Sequence, residues 1–138
     1  MPHAHARRSL VLRTVHPPRP RAIGVVRATI RSILKAARLT CITDTAELLV
    51  SELATNAYRS ATTHAYISME WEPEPPDLRV AVWDTGPGLP EPRAARDGDE
   101  SGRGLTLVET CADDWGIDRY PNGKAVWFTM SAKPHPAE

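Results

Sequence analysis

Cysteine and long apolar runs are scarce in this chain. Its two cysteines, Cys41 and Cys111, stand far apart, and neither has a cysteine or histidine nearby at the spacing of a zinc site. We expect both thiols to be reduced and partly buried. No apolar run approaches the roughly 20 residues that a membrane helix needs, and residues 1–12 are basic and rich in histidine, unlike a secretory signal. These absences predict a cytoplasmic protein that does not enter a membrane.

Acidic residues are absent from positions 1–40, although the whole chain is neutral with 17 basic and 17 acidic residues. The same segment carries nine basic residues: Arg7, Arg8, Arg13, Arg19, Arg21, Arg27, Arg31, Lys35 and Arg38. Such asymmetry is typical of a nucleic-acid-binding arm, of a surface for an acidic partner, or of a basic helix that faces acidic parts of its own fold. Aromatic residues are not interleaved with these cations, as a nucleic-acid platform requires. We therefore favour the latter two explanations and expect no direct nucleic-acid binding.

The length of 138 residues, of which 41% are hydrophobic, suits one domain with one core. We predict a domain over residues 9–131 between disordered tails at 1–8 and 132–138. Hydrophobic periodicity predicts these elements in order: strand 9–15, helix 21–39, helix 43–60, strand 64–71, strand 78–84, helix 104–112, strand 115–120 and strand 124–130. The order favours an α/β fold of the α+β kind, a two-layer sandwich with helices on one face of a mixed β-sheet.

A loop of unusual length separates the fifth and sixth of these elements. Residues 86–101 combine glycine, proline, arginine and acidic side chains without periodicity. Loops of this length in a compact domain are commonly functional. We interpret residues 89–101 as a lid that is mobile without ligand and becomes ordered when the ligand binds.

The second helix carries a carboxylate and an amide one turn apart. Glu52 and Asn56 are four residues apart, so their side chains project from neighbouring positions on one helix face. A carboxylate can act as a general base toward a hydroxyl group, and an amide oxygen is a hard ligand suited to Mg²⁺ shared with phosphates. By themselves, two polar residues at this spacing are more typical of a solvated helix surface. The pair indicates a functional site only in combination with two further motifs.

The second motif follows an apolar strand. Asp84 ends that strand and precedes Thr85, Gly86, Pro87 and Gly88, a turn whose glycines allow backbone conformations closed to other residues. A carboxylate held at a strand end can accept a hydrogen bond from an exocyclic amine such as that of adenine. Taken alone, the segment is better explained by an ordinary aspartate-containing turn.

The third motif lies where the third helix begins. Gly102, Arg103, Gly104 and Leu105 stand at this start, where backbone N–H groups and the helix dipole favour anions such as phosphate. The two glycines would let phosphate oxygens approach the backbone closely. The segment is neither a P-loop, which needs a lysine followed by serine or threonine, nor a Rossmann fingerprint, which follows a strand. Without the other motifs it would be a flexible hinge of the lid.

In this order and at these separations, the three motifs resemble the N, G1 and G2 boxes of the GHKL superfamily of ATP-binding proteins. Within the superfamily, the short chain and the sequences SELATNA at 51–57 and KAVWF at 124–128 look like the stand-alone anti-sigma-factor serine/threonine kinases. The resemblance covers roughly residues 9–130. It implies the Bergerat ATP-binding fold, with ATP and Mg²⁺ as cofactors.

The resemblance also implies a role for each matching residue. Glu52 would be the catalytic base, Asn56 the Mg²⁺ ligand and Asp84 the residue that reads adenine. The other cofactor-binding residues would lie on the adenine side or the phosphate side of the pocket: Gly86, Gly88, Gly102, Arg103, Gly104 and Leu105. Two positions depart from the family, since Ser60 stands where a histidine is frequent and Ala125 where a threonine often lines the adenine pocket.

Two functions follow from the resemblance. The first is a Mg-ATP-dependent serine/threonine kinase that phosphorylates a STAS-domain anti-anti-sigma protein and binds a sigma factor. The second is a sequestering module that binds ATP and a sigma factor or another regulator but transfers no phosphate. Homodimerisation is left open. We expect neither a gyrase-type transducer domain nor the dimerisation helix of a sensor kinase, because neither fits in 138 residues.

Overall fold

The computed structural model describes residues 8–15, 21–60, 64–85 and 100–131. These residues form, in chain order, β1 (Arg8–Val15), α1 (Ala22–Ala36), a short 3-10 helix (Thr40–Ile42), α2 (Thr43–Ser60), β2 (His64–Pro73), β3 (Pro76–Asp84), α3 (Glu100–Cys111), β4 (Asp114–Tyr120) and β5 (Gly123–Ser131). Every predicted strand and helix is present in the predicted order. β1 begins at Arg8, which the sequence analysis places in the tail, and α3 begins before the predicted Gly104.

The strands form one sheet in the order β1-β2-β3-β5-β4, and every described pair of neighbours is antiparallel. The two-layer α+β sandwich is therefore confirmed, whereas the prediction of a mixed sheet is wrong for the described pairs. The reason lies in the last hairpin. β5 returns antiparallel to β4 and pairs with β3 along its other edge, so β3 and β4, which run in the same direction, are not neighbours.

The helices cover one face of this sheet. On α1 the predicted stripe is buried at Val26, Ile30 and Leu34, because these residues recur at helical spacing. On α2 the predicted stripe is buried as well, and Leu49 and Ala54 widen it. Inward-facing residues of the three central strands complete the core: Ala65, Ile67, Met69, Leu78, Val80, Val82, Val126, Phe128 and Met130. This single cluster fixes α2 against the middle of the sheet.

α1 ends earlier than its hydrophobic pattern predicts. Arg38 has a left-handed backbone with a φ of 62°, and a right-handed helix cannot continue through this conformation. The N–H of Leu39 donates to the carbonyl of Leu34 at 2.8 Å, and the N–H of Arg38 donates to that of Lys35 at 3.1 Å. This is the Schellman arrangement of a helix end. It turns Leu39 into the core, and α2 then follows after one 3-10 turn.

The opposite face of the sheet carries aromatic side chains. The rings of Trp83 and Tyr120 stack with centroids 5.2 Å apart, and the guanidinium of Arg79 lies 4.6 Å from the centroid of Trp127. Gly116 lies so close to the Trp127 ring that a Cβ at this position would overlap it. These rings and the Arg79 guanidinium therefore pack side by side on the face of the sheet that α2 does not cover.

Both cysteines are exposed, so the prediction that they are partly buried is wrong. Cys41 lies in the 3-10 helix, where its neighbour Ile42 takes the buried position, and Cys111 is the last residue of α3. In the described parts of the chain, no helix is long and apolar enough to cross a membrane.

Candidate functional site

Asp84 is a buried carboxylate at the end of β3. Side chains alternate along a strand, so Asp84 faces the same side as Val80 and Val82, which is the side that the helices cover. Its side chain is only 3% exposed. A buried carboxylate requires a compensating charge or hydrogen bonds, and its position at the last residue of an apolar strand agrees with the sequence analysis.

Lys124 supplies that compensation. It is the residue of β5 directly opposite Asp84 in the strand register. Its Nζ donates a hydrogen bond to Oδ1 of Asp84 at 2.9 Å, and the lysine side chain is 5% exposed. Lys124 is not among the site residues predicted from the sequence. The signal was present, since Lys124 stands two residues before Val126, at an inward position of an otherwise apolar strand.

The turn between β4 and β5 holds this end of the sheet tightly. A Cβ at Gly123 would overlap the carbonyl oxygen of Asp84 and touch the Cα of Thr85. Only a residue without a side chain permits so close an approach of two backbone segments. Gly123 therefore brings the start of β5, and with it Lys124, against the last residue of β3.

Glu52 and Asn56 lie on α2, at the border of its buried stripe. Both are half-buried, whereas the neighbouring Leu53 and Ala57 are buried. α2 ends at Ser60, and β2 begins shortly afterwards, so the carboxyl-terminal turns of α2 lie toward the start of β2. Ala65 near that start pairs with Asp84. The topology thus brings the Asn56 end of α2 to the same end of the sheet as Asp84.

The third motif lies inside α3. Because the helix begins at Glu100, Gly102, Arg103 and Gly104 occupy its first turn and the residue after it, and do not precede the helix. Leu105 is 3% exposed and belongs to the hydrophobic core. Backbone N–H groups of a first helical turn suit an anion, so the placement fits the predicted phosphate side. The binding roles of these four residues stay predictions.

Several predicted features lie outside the described residues. Gly86 and Gly88 are among them, as are residues 89–99 of the lid predicted over residues 89–101. The last two of these positions, Glu100 and Ser101, belong to α3, so the loop prediction is wrong there. Among the described residues, no three His, Cys, Asp or Glu side chains are grouped as a metal site. An amide ligand such as Asn56 would not belong to such a group, so its role toward Mg²⁺ is untested.

The basic and acidic parts of the chain meet where α1 packs against α2. Nη1 of Arg31 lies 2.6 Å from Oε2 of Glu47 and 2.9 Å from Oδ1 of Asp44, and Nε of Arg27 lies 3.3 Å from Oε1 of Glu47. The hydrogen bond from Arg31, followed by that from Arg27, lowers the pKa of Glu47. The hydrogen bonds of Arg31 with Glu47 and then with Asp44 raise the pKa of Arg31. Part of the charge asymmetry is therefore explained by contacts within the fold.

A family model described as the histidine kinase-like ATPase domain matches residues 16–130. The match covers most of the chain and includes every residue assigned to the site, while it leaves out β1. A comparison with curated proteins finds no match.

Proposed function

The chain belongs to the histidine kinase-like ATPase family of the GHKL superfamily, and from this premise we propose that it is a Mg-ATP-dependent protein serine/threonine kinase. Its ATP-binding regulatory role follows from the family. The proposed acceptor is a hydroxyl group on a STAS-domain antagonist of the anti-sigma-factor type, and the proposed second partner is a sigma factor. Both partners rest on the resemblance of residues 51–57 and 124–128 to that class.

The observation that carries the proposal is the buried carboxylate of Asp84. It is 3% exposed, ends an apolar strand and faces the layer of helices. A carboxylate in such a position can hold an exocyclic amine in a setting from which water is excluded, where hydrogen bonds to charged groups are strongest. The described residues therefore fit the adenine end of a nucleotide.

The other site residues would bind the metal, bind the phosphates and accept the proton. Bound ATP with Mg²⁺ would supply the phosphoryl group for transfer to the acceptor hydroxyl. Asn56 would hold the metal through its amide oxygen. The backbone N–H groups at the start of α3, around Gly102 and Gly104, would hold phosphate oxygens. Glu52, one turn before Asn56, would orient the acceptor hydroxyl and take its proton.

The function test is a change at Glu52 that preserves its shape. Glu52→Gln should leave the affinity for nucleotide within about twofold, because the amide keeps the size of the side chain. It should lower phosphoryl transfer by a factor of about 10²–10⁴, because an amide cannot accept the proton. Radiolabelled ATP with any STAS-domain protein encoded beside this chain measures transfer, and calorimetry measures binding.

The matched control is Glu109→Gln, which removes an exposed carboxylate from α3. It should leave both quantities unchanged. If Glu52→Gln transfers phosphate as fast as the unaltered protein, Glu52 is not the base. If the unaltered protein binds ATP but phosphorylates no genomically linked STAS protein, the sequestering module becomes the better account.

A further inference from the structure

The pairing of Asp84 with Lys124 goes beyond what a stable core requires. The inward positions of β5 after Lys124 are Val126, Phe128 and Met130, all buried. Replacing a buried ion pair by apolar residues of similar volume is often neutral or stabilising, because burying two charges carries a large desolvation penalty. Packing alone therefore favours an apolar residue at both positions. The presence of the ion pair instead indicates a role in binding a ligand.

The two groups present complementary chemistry side by side. Oδ1 of Asp84 and Nζ of Lys124 are 2.9 Å apart, on directly opposite residues of adjacent strands. A carboxylate only accepts hydrogen bonds, and an ammonium group only donates them. An ammonium group has three protons and a carboxylate about four acceptor positions, so each group can take part in more than one hydrogen bond. The pair therefore forms an acceptor next to a donor on the helix-facing side of the sheet.

We propose that Lys124 is a specificity-determining residue of the base pocket, where its ammonium group donates to the ring nitrogen N1 of adenine while Asp84 accepts from the 6-amino group. The proposal rests on the ATP-binding function proposed above. Adenine presents a donor at the 6-amino group and an acceptor at N1, and both nitrogens are bonded to C6. Guanine presents the reverse order, an acceptor at O6 and a donor at N1. The pair therefore selects ATP over GTP through two contacts of opposite polarity.

Neighbouring residues hold the ammonium group in place for this role. Because Gly123 has no side chain, the start of β5 can lie directly against the backbone of Asp84 and Thr85. Ala125, the next residue, is 1% exposed and points to the other side of the strand from Lys124. The resemblance places a threonine that lines the adenine pocket at the position of Ala125, but in the sheet Lys124 and not Ala125 lies on the same side as Asp84. Lys124 supplies a hydrogen-bond donor that the methyl group of Ala125 cannot.

The first experiment needs no substitution in the protein. Calorimetry on the full chain would compare ATP with 1-deaza-ATP, in which a C–H group replaces N1, and with 7-deaza-ATP, in which the change is on another edge of the base. A hydrogen bond from a charged donor corresponds to roughly tenfold or more in affinity. We expect 1-deaza-ATP to bind at least about tenfold more weakly than ATP and 7-deaza-ATP to bind within about threefold of it.

The second experiment assigns that loss to Lys124. In Lys124→Met the affinity ratio between ATP and 1-deaza-ATP should fall to within about twofold, because the donor is gone. Arg79→Met is the matched control, since it removes a cation from β3 on the opposite face of the sheet and should keep the full ratio. If Lys124→Met does not fold, Lys124→Met combined with Asp84→Asn leaves no unpaired charge and should show the same collapsed ratio.

The outcomes separate this proposal from the proposed function. If the unaltered chain binds ATP and 1-deaza-ATP equally well, Lys124 does not read N1, and the ATP-binding function stands. If the folded Lys124 variant keeps the full ratio, another group reads N1 and the proposal is overturned. If the unaltered chain binds no adenine nucleotide in the presence of Mg²⁺, both proposals fail together.

Discussion

At the scale of single residues, Asp84 and Lys124 must meet two demands. They must compensate each other inside the fold, and in the proposed site they must also bind a nucleotide base. The first demand is visible in their 2.9 Å contact and in side chains that are 3% and 5% exposed. Breaking such a pair from one side is strongly destabilising because the remaining charge is buried alone. The contribution of the pair to the stability of the fold and its contribution to nucleotide binding can be measured separately.

We predict a strong coupling between these two residues in stability. Lys124→Met and Asp84→Asn should each lower the free energy of unfolding by about 3 kcal/mol, since each leaves one buried group without its charged partner. The double variant should recover most of that loss. Denaturant unfolding of the four proteins measures the coupling. Strictly additive losses would show that the two charges do not stabilise each other.

Nucleotide affinity should not follow the same pattern. Asp84→Asn should weaken ATP binding strongly, because a neutral amide is a poorer acceptor for the 6-amino group. The double variant should regain stability without regaining affinity. This divergence would show that the carboxylate serves recognition as well as folding.

At the scale of helices and strands, local patterns predicted the elements well and their pairing poorly. The stripe of Val26, Ile30 and Leu34 identified α1 because a helix buries residues at that spacing. Its end at Ala36 was missed, since the left-handed Arg38 is not glycine, the usual residue there. The insertion of β5 beside β3 was also missed. It depends on contacts between residues far apart in sequence, which periodicity does not reveal.

The contact between α1 and α2 carries a prediction about pH. Hydrogen bonds from Arg31 and Arg27 hold the pKa of Glu47 below its ordinary value of 4.5. A pKa that is lower in the folded state than in the unfolded state gives stability that is fully present above about pH 4.5. That stability is lost as the pH falls through the folded-state pKa. Glu47→Gln should therefore lower the Tm at pH 7, and the difference from the unaltered protein should shrink below pH 4.5.

Asp44→Asn is the matched control for this contact. Asp44 also pairs with Arg31, but its side chain is 87% exposed, against 16% for Glu47. Exposed ion pairs contribute little because water and salt screen them. The Tm of Asp44→Asn should therefore stay close to that of the unaltered protein across the same pH range. A Glu47 variant with a pH profile parallel to the unaltered protein would contradict the lowered pKa.

At the scale of the whole molecule, the site depends on elements that the sequence separates widely. The three motifs on α2, at the end of β3 and on α3 were each ambiguous alone, and their order made the family recognisable. Asp84 was identified because it ends an apolar strand. Lys124 was not, because the local pattern shows only a lysine at an inward position of an apolar strand, whereas its pairing with Asp84 depends on the cross-strand register. Site residues that act through pairing across the sheet require the structure.

The thermal stability of the whole domain can be used to detect binding of Mg²⁺. A ligand that binds only the folded state raises the free energy of unfolding, by about 2.7 kcal/mol at a concentration of 100 times its Kd. We predict that ADP raises the Tm of the chain and that Mg²⁺ adds to this rise. Asn56→Ala should abolish the added part and retain the part seen with ADP in EDTA, because the amide oxygen serves the metal and not the base.

Glu52→Gln is the matched control for Asn56→Ala, since it changes the neighbouring half-buried polar residue on the same helix. The added rise with Mg²⁺ should persist in this variant, because Glu52 is assigned to the acceptor hydroxyl. Thermal unfolding with ADP, at equal nucleotide concentration with and without Mg²⁺, compares all three proteins. If Asn56→Ala keeps the full Mg²⁺ response, the metal is held elsewhere. If Glu52→Gln loses the response as well, the carboxylate takes part in metal binding and its assignment as the base must be revised.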